Sequence, residues 1–177
     1  MCVALTRKSF GKTRLPVGAE PIRVRPCHEQ DLPQLEEILK TAPQAAGWSG
    51  SSLRESFVSC APYFLVAFQQ TQINGFICGR QVADEAEILN LAVRSDRRRH
   101  GIAHALVQAF LQMVAQQAGT TVHLEVRESN LAAIGLYTHA GFRVTGTRPG
   151  YYQAPLEAAV LMTCHVPPVT SANHRTG

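Results

Sequence analysis

Residues Arg94–Leu106 read RSDRRRHGIAHAL, with three consecutive arginines and a glycine set directly before an apolar, alanine-rich run. Upstream, EAEILNLAV (Glu85–Val93) reads as a strand. Downstream, Ile102, Leu106, Ala109, Phe110 and Met113 recur at helical spacing to about Ala118, and Gly119 closes the run. Residues 86–118 therefore form a strand–loop–helix unit. The first amides of such a helix lack intrahelical partners, and the macrodipole adds partial positive charge there. A strand running straight into that terminus presents the amides as an anion site. Gly101 leaves room for a phosphate beside the backbone, and Ala103 is nearly as small. Arg98 and Arg99 add charge suited to phosphate oxygens, and His100 and His104 can assist when protonated. Taken alone, the same residues serve equally well as a solvated loop. A nucleoside-triphosphate P-loop is excluded because no Lys-Ser/Thr pair follows Gly101, and a dinucleotide fingerprint is excluded because its glycine triplet is missing.

Outward from this unit the pattern continues without a repeat or an obvious linker. Toward the N-terminus, Pro21–Pro26 reads as a short strand. Leu32, Leu35, Ile38 and Leu39 then mark a helix, with Asp31 as its N-cap and Pro33 early enough to be tolerated. GWSGSSLRESFVSC gives a loop and a second short helix capped by a serine. YFLVAFQQTQINGFICGRQV gives two strands around a turn at Gln69–Gln72, with Asn74-Gly75 as a second turn or a bulge. Toward the C-terminus, TTVHLEVR alternates as a strand with Val122, Leu124 and Val126 on one face. Asn130 can cap LAAIGLYTHA, which Gly141 stops and Phe142 packs under. FRVTGTR and EAAVLMTCHV close the pattern as two strands. The flanks, residues 1–20 and 167–177, read as a flexible arm and a disordered tail around one domain at 21–166.

Composition narrows the class. A chain of 177 residues, 45% hydrophobic and 17% charged, suits one soluble domain with a sizeable core. No apolar run approaches the ~20 residues of a membrane span. The short run Cys2–Leu5 precedes its positive charges, the reverse of a secretory signal, so no export is expected. Five scattered cysteines without CxxC pairing argue against both a disulfide framework and a zinc site, and fit a reducing cytoplasm. They are expected as small core hydrophobes, and no metal is expected. The net charge of +4 is mild and concentrated in the leader and the arginine run. That distribution favours a local anionic ligand over a nucleic-acid face. Neither nucleic acid nor membrane is expected as a partner, and the expected state is a monomer or weak dimer.

Two separated motifs in order are more specific than either alone. Arg98–Ala103 resembles the R/Q-x-x-G-x-G/A signature of the GNAT superfamily of N-acetyltransferases, and LEVRESNLAAIGLYTHAGF resembles the second half of its acetyl-CoA site. The resemblance covers roughly residues 21–165. It implies an α/β (α+β) fold: a central, mixed, mostly antiparallel sheet of about seven strands with helices on both faces. It also implies acetyl-CoA as co-substrate. The backbone of Leu91, Ala92 and Val93 would bond the pantetheine arm as an added strand does. The amides of Arg99, His100, Gly101, Ile102, Ala103 and His104 would cradle the pyrophosphate. Asn130 would contact the cofactor, its capping role being compatible with that.

Within the superfamily the likeness is greatest to the bacterial group that acetylates N-terminal alanine of ribosomal proteins. The carrying elements are GWSGSSLRESF, LEVRESN, IGLYTHAGF and RPGYY. The group's general base and general acid fall on Glu125 and Tyr137. A carboxylate can take a proton from the attacking amine, and a phenol can protonate the departing thiolate. The plain alternatives are an exposed strand carboxylate paired with Arg127, and a tyrosine packed beside Ile134 and Ala133. Trp48, Tyr151 and Tyr152 are the candidates for the acceptor pocket, or else aromatics covering the core. Gly150 stands where the group has Asn, and Ala158 where it has an acidic residue. The implied acceptor is a protein N-terminus, ribosomal and beginning with Ala. A small amine or a lysine side chain is the alternative acceptor, and a catalytically silent acyl-CoA-binding module the alternative function.

Overall fold

Each helix of the computed structural model buries one stripe against a seven-stranded sheet whose two faces carry separate cores. The structure describes residues 20–42 and 48–167. The expected arm and tail, apart from Glu20 and Pro167, lie outside the described residues. The elements in chain order are β1 (Arg23–Pro26), α1 (Leu32–Lys40), α2 (Gly50–Ser59), β2 (Phe64–Gln69), β3 (Gln72–Val82), β4 (Glu85–Val93), α3 (Ile102–Gln116), β5 (Thr121–Arg127), α4 (Leu131–His139), β6 (Arg143–Gln153) and β7 (Leu156–His165). The strand order is β1-β2-β3-β4-β5-β7-β6, with β4–β5 parallel and every other neighbouring pair antiparallel. Among the described residues, no helix is long and apolar enough to cross a membrane.

The central strands are apolar on both faces because both faces are covered. Leu65, Ala67 and Ile77 join Leu106, Phe110, Val122 and Leu124 under α3, whereas Phe64, Val66, Phe76 and Cys78 join Leu35, Ile38 and Leu53 under α1 and α2. Cys27, Cys60, Cys78 and Cys164 are free thiols buried in these cores. Asp31 is not the side-chain cap of α1. It closes a short 3-10 turn at Glu29–Asp31, where its carboxylate accepts from the His28 amide at 2.8 Å and pairs with Arg25 at 2.6 Å.

Two bulges shape the sheet. In β3, Asn74 is the extra residue between the pairs Ala67↔Gly75 and Phe68↔Ile73, so Asn74-Gly75 makes a bulge rather than a turn. In β4, Leu89 is the extra residue between Cys78↔Asn90 and Gly79↔Ile88. This second bulge re-phases the alternation, leaving Ile88 and then Leu91 and Val93 on the α3 face while Ala92 joins the α1–α2 core. β6 runs on past Arg148 to Gln153 through an irregular step at Pro149–Tyr151, longer than the sequence pattern suggests.

Candidate active site

The bulge at Leu89 falls where β4 parts from β5. Their parallel pairing runs from Glu85↔Thr121 to Ile88↔Leu124 and ends there. β4 continues against β3 as far as Val93, and β5 continues against β7 as far as Arg127. The two strands thus diverge, and Glu125 is the first residue of β5 past the last paired position. Leu89–Val93 present one edge of backbone to the gap, the arrangement an extended ligand needs in order to bond like a strand. Leu91, Ala92 and Val93 all lie on this edge.

At the far end of β4 the chain turns into the arginine loop. The Arg94 amide donates to the Asn74 carbonyl at 2.9 Å, and Arg94 pairs with Asp96 at 3.0 Å, which ties the first part of the loop down. Arg99 (φ +65°) and Gly101 (φ +81°) both adopt left-handed backbone, bracketing His100. Alternation of this kind turns successive amides toward one side, as in backbone anion nests. The first bond of α3 runs from the Ala105 amide to the Gly101 carbonyl at 2.9 Å, so the amides of Ile102, Ala103 and His104 precede the helical ladder. Among the described residues, no side chain caps this terminus. A Cβ built on Gly101 meets only Ile22 Cδ1, at 4.0 Å, so the space beside it is open. These features suit a phosphate, and with the open β4 edge they fit the elongated acetyl-CoA molecule.

The side chains of the loop divide their work. Arg98 donates from Nε to the Val93 carbonyl at 3.4 Å and from Nη2 to the Thr41 carbonyl at 3.1 Å. Its guanidinium therefore fastens the loop to the end of α1, while Arg99 is exposed beside the amides. His100 donates from Nδ1 to the Arg98 carbonyl at 2.8 Å. His104 lies one helical turn in and meets His139 of α4, with ring centroids 5.7 Å apart.

α4 opens on the same end of the sheet. Asn130 Oδ1 accepts from the Ala133 amide at 3.2 Å, the expected cap, which leaves the Nδ2 hydrogens as donors. Gly141 (φ +102°) stops the helix, and Phe142 packs edge-on to Tyr137 at 5.5 Å. Tyr137 is 6% exposed, in the core on the α3 face. Burial, reinforced by the neighbouring Tyr152, pushes its phenol well above the usual tyrosine range, so the group stays protonated. Glu125 stands out of register with Val122, Leu124 and Val126, on the opposite face of β5. Tyr137 thus lies on the α3 face of the sheet and Glu125 on the other.

Glu125 is not paired with Arg127. It pairs with Arg148 of β6 at 2.9 Å, and Arg127 pairs with Glu157 at the start of β7. The reason is register. Arg127, Ala159 and Arg148 stand side by side on β5, β7 and β6, and the small Ala159 lets the Arg148 side chain cross β7 toward Glu125. Arg148 lies over Tyr151, Tyr151 packs edge-on to Tyr152, and Tyr152 carries Arg127 on its ring, at 4.8, 5.1 and 4.1 Å respectively. The hydrogen bond to Glu125 raises the Tyr151 phenol above its ordinary value. Tyr151 and Tyr152 therefore belong to the Glu125 cluster. Gly150, where the related group has Asn, sits at φ +62°, a conformation that glycine and then asparagine tolerate best.

Trp48 is placed differently. It precedes Ser49, the N-cap of α2, and packs against the α1–α2 core beside a cavity of about 260 Å³ lined by Glu36, Leu39, Lys40, Ser49 and Gly50. Sequence reasoning offered Arg127 only as a partner for Glu125, and gave Arg148 and Glu157 no role of their own. The signal for Arg148 was its place in RPGYY, three residues before the paired tyrosines.

A parallel strand pair that diverges beside a nest of amides at a helix N-terminus gives a site for an extended, phosphate-bearing ligand. The chain belongs to the acetyltransferase (GNAT) family, which matches residues 29–142. It is 36% identical over 126 residues to a [ribosomal protein bS18]-alanine N-acetyltransferase of Escherichia coli (strain K12), covering 69% of this chain and 81% of that one. Among solved structures it resembles the ribosomal-protein-S18-alanine N-acetyltransferase from Escherichia coli, with TM-score 0.75 and 26% identity over 87% of this chain and 99% of the other. It also resembles Ard1 from Thermoplasma volcanium, with TM-score 0.77 and 29% identity over 82% and 98%. The family uses acetyl-CoA, and this chain is an acyltransferase of that family.

Proposed function

We propose that this enzyme acetylates the N-terminal α-amino group of a protein, and that the acceptor is a ribosomal protein beginning with alanine. The observation that carries the chemistry is the position of Glu125 at the first residue past the last β4–β5 pair, with the buried phenol of Tyr137 in the core on the other face of the sheet. The names of the relatives at 36% and 26% identity support the acceptor class.

Bound acetyl-CoA supplies an acetyl thioester and leaves as the CoA thiolate once the C–N bond forms and the C–S bond breaks. Leu91, Ala92 and Val93 hold the arm through their backbone, and the amides from Arg99 to His104 hold the phosphates. The Asn130 Nδ2 hydrogens add a donor at the N-terminus of α4. Glu125, directly or through one water, takes a proton from the acceptor ammonium and frees the nitrogen lone pair. Tyr137, kept protonated by burial, gives a hydrogen bond or its proton to the sulfur as negative charge develops there, and the second proton the nitrogen sheds on becoming the amide passes to the phenolate so formed or to solvent. Tyr151 and Tyr152 border the acceptor side of Glu125, whereas Trp48, packed on the α1–α2 core, stands apart from that cluster.

Mass spectrometry of peptides incubated with acetyl-CoA tests this reading. The panel holds free N-terminal Ala, Ser and Met peptides, an N-blocked lysine peptide, and spermidine. Acetylation confined to free N-termini and strongest on Ala is the expected result. Product only on lysine or spermidine replaces the acceptor and keeps the chemistry. Tight CoA binding without product on any amine replaces the enzyme with a silent binding module.

A further inference from the structure

Resting on that reading, we infer that Arg148 sets acceptor specificity by occupying, in the free enzyme, the place that the acceptor's ammonium takes on Glu125. The guanidinium reaches Glu125 Oε1 at 2.9 Å from two strands away. Its side chain is 53% exposed while that of Glu125 is 22% exposed. The asymmetry sets the direction of exchange. An exposed guanidinium returns to water at small cost, whereas the more shielded carboxylate gains more from keeping a cation beside it. Glu125 therefore releases Arg148 only to another cation.

The rest of the cluster supports a side chain that swings on a fixed base. Arg127 is locked by Glu157 and also donates to the Ala154 carbonyl at 3.3 Å. Tyr152 lies under Arg127, and Tyr151 stands edge-on to Tyr152, so the aromatic pair stays in place when Arg148 leaves. The Tyr151 face that Arg148 vacates is free to meet the incoming cation. The acceptor is accordingly selected as an ammonium and deprotonated only after it has displaced Arg148. A neutral, blocked amine has no means of making the exchange.

Steady-state kinetics on a free N-terminal Ala peptide separates competition from assistance. Arg148→Met should lower the acceptor KM about two- to five-fold, the worth of a partly exposed ion pair, and leave the acetyl-CoA KM unchanged. Arg148→Lys keeps a cation there and should stay near the parent value. An acceptor KM that rises or stays constant in an active Arg148→Met enzyme overturns the exchange and leaves the function standing. Wild-type enzyme that acetylates no free α-amine overturns both. In the wild-type protein with CoA, saturating Ala peptide should move the Arg148 Nε–H resonance toward that of a free guanidinium. An unmoved resonance overturns the exchange even where a variant fails to fold.

Discussion

The Arg127 guanidinium lies 4.1 Å from the centroid of the Tyr152 ring while its Nη1 pairs with Glu157, so one β5 side chain fastens the β6–β7 hairpin to the end of the strand bearing Glu125. Both charged side chains of this pair are largely shielded, Arg127 at 14% and Glu157 at 9% exposure. Removing the arginine frees the hairpin and leaves Glu157 without its cation. Arg127→Met should raise the acceptor KM about tenfold with little change in the acetyl-CoA KM, because a displaced acceptor wall costs orientation. Arg127→Lys, which cannot stack as a planar cation, should restore only part of the loss. Equal KM values for parent and Arg127→Met would remove the hairpin from the acceptor site.

Gly101 combines a φ of +81° with open space where the anion cradle needs it. In Gly101→Trp the indole fills the approach to the amides of α3, and the left-handed backbone adds about 1–2 kcal/mol of strain. CoA affinity should fall at least about tenfold, or about 1.4 kcal/mol, by calorimetric titration. Tm should fall by only about 5 °C. Undiminished CoA affinity would exclude the loop as the phosphate site.

Tyr137→Phe removes the phenol and keeps the ring that packs on Phe142. The acetylation kcat should drop about 100-fold, the usual scale for loss of a positioned acid. CoA affinity and Tm should stay within error of the parent, since the packing is conserved. A kcat within about two-fold of the parent would assign Tyr137 to the core alone.

Much of this arrangement was legible because it is local. The helical spacing from Ile102, the alternation of Val122, Leu124 and Val126, the Asn130 cap and the Gly141–Phe142 stop each depend on neighbours within a few positions, and each appears in the structure. The bulge at Leu89 leaves only a trace in ILNLAV, where an asparagine interrupts the alternation that a regular strand would keep. The partner of Glu125 left no local trace. It depends on the register of β5, β7 and β6, which sets Arg127, Ala159 and Arg148 in one row and takes Arg127 to Glu157. The bond from Arg98 to the Thr41 carbonyl left no local trace for the same reason, since it spans 57 positions.

Gly79 shows how tightly the bulge is built. A Cβ there would lie 2.4 Å from the Glu87 carbonyl oxygen and 2.5 Å from two Phe110 ring atoms. Backbone on one side and a fully buried ring on the other leave no easy relaxation. Gly79→Ala should cost about 3 kcal/mol, toward the upper end for overpacking, and lower Tm by about 10 °C. A melting temperature equal to the parent's would mean that β3 and β4 can part at this point without penalty.

Asp31 carries the pH dependence of the N-terminal half of the sheet. Burial pushes its carboxyl up, but the hydrogen bonds from Arg25 and the His28 amide, with the charge of Arg25, outweigh burial and hold it below its ordinary value. A carboxylate whose pKa is lower in the folded state stabilises the fold in full above its unfolded pKa of about 3.9, and loses that contribution as pH falls through the folded value. Asp31→Asn removes the charge and keeps the shape. It should cost about 2 kcal/mol at pH 7, as expected for a charge-assisted hydrogen-bond pair. As pH falls below about 4, the parent's own carboxyl protonates and comes to resemble the amide, so the two unfolding free energies should converge. Denaturant melts from pH 7 to pH 3 measure the gap directly, and a gap that stays constant or widens toward pH 3 would show that the Arg25–Asp31 pair does not set this dependence.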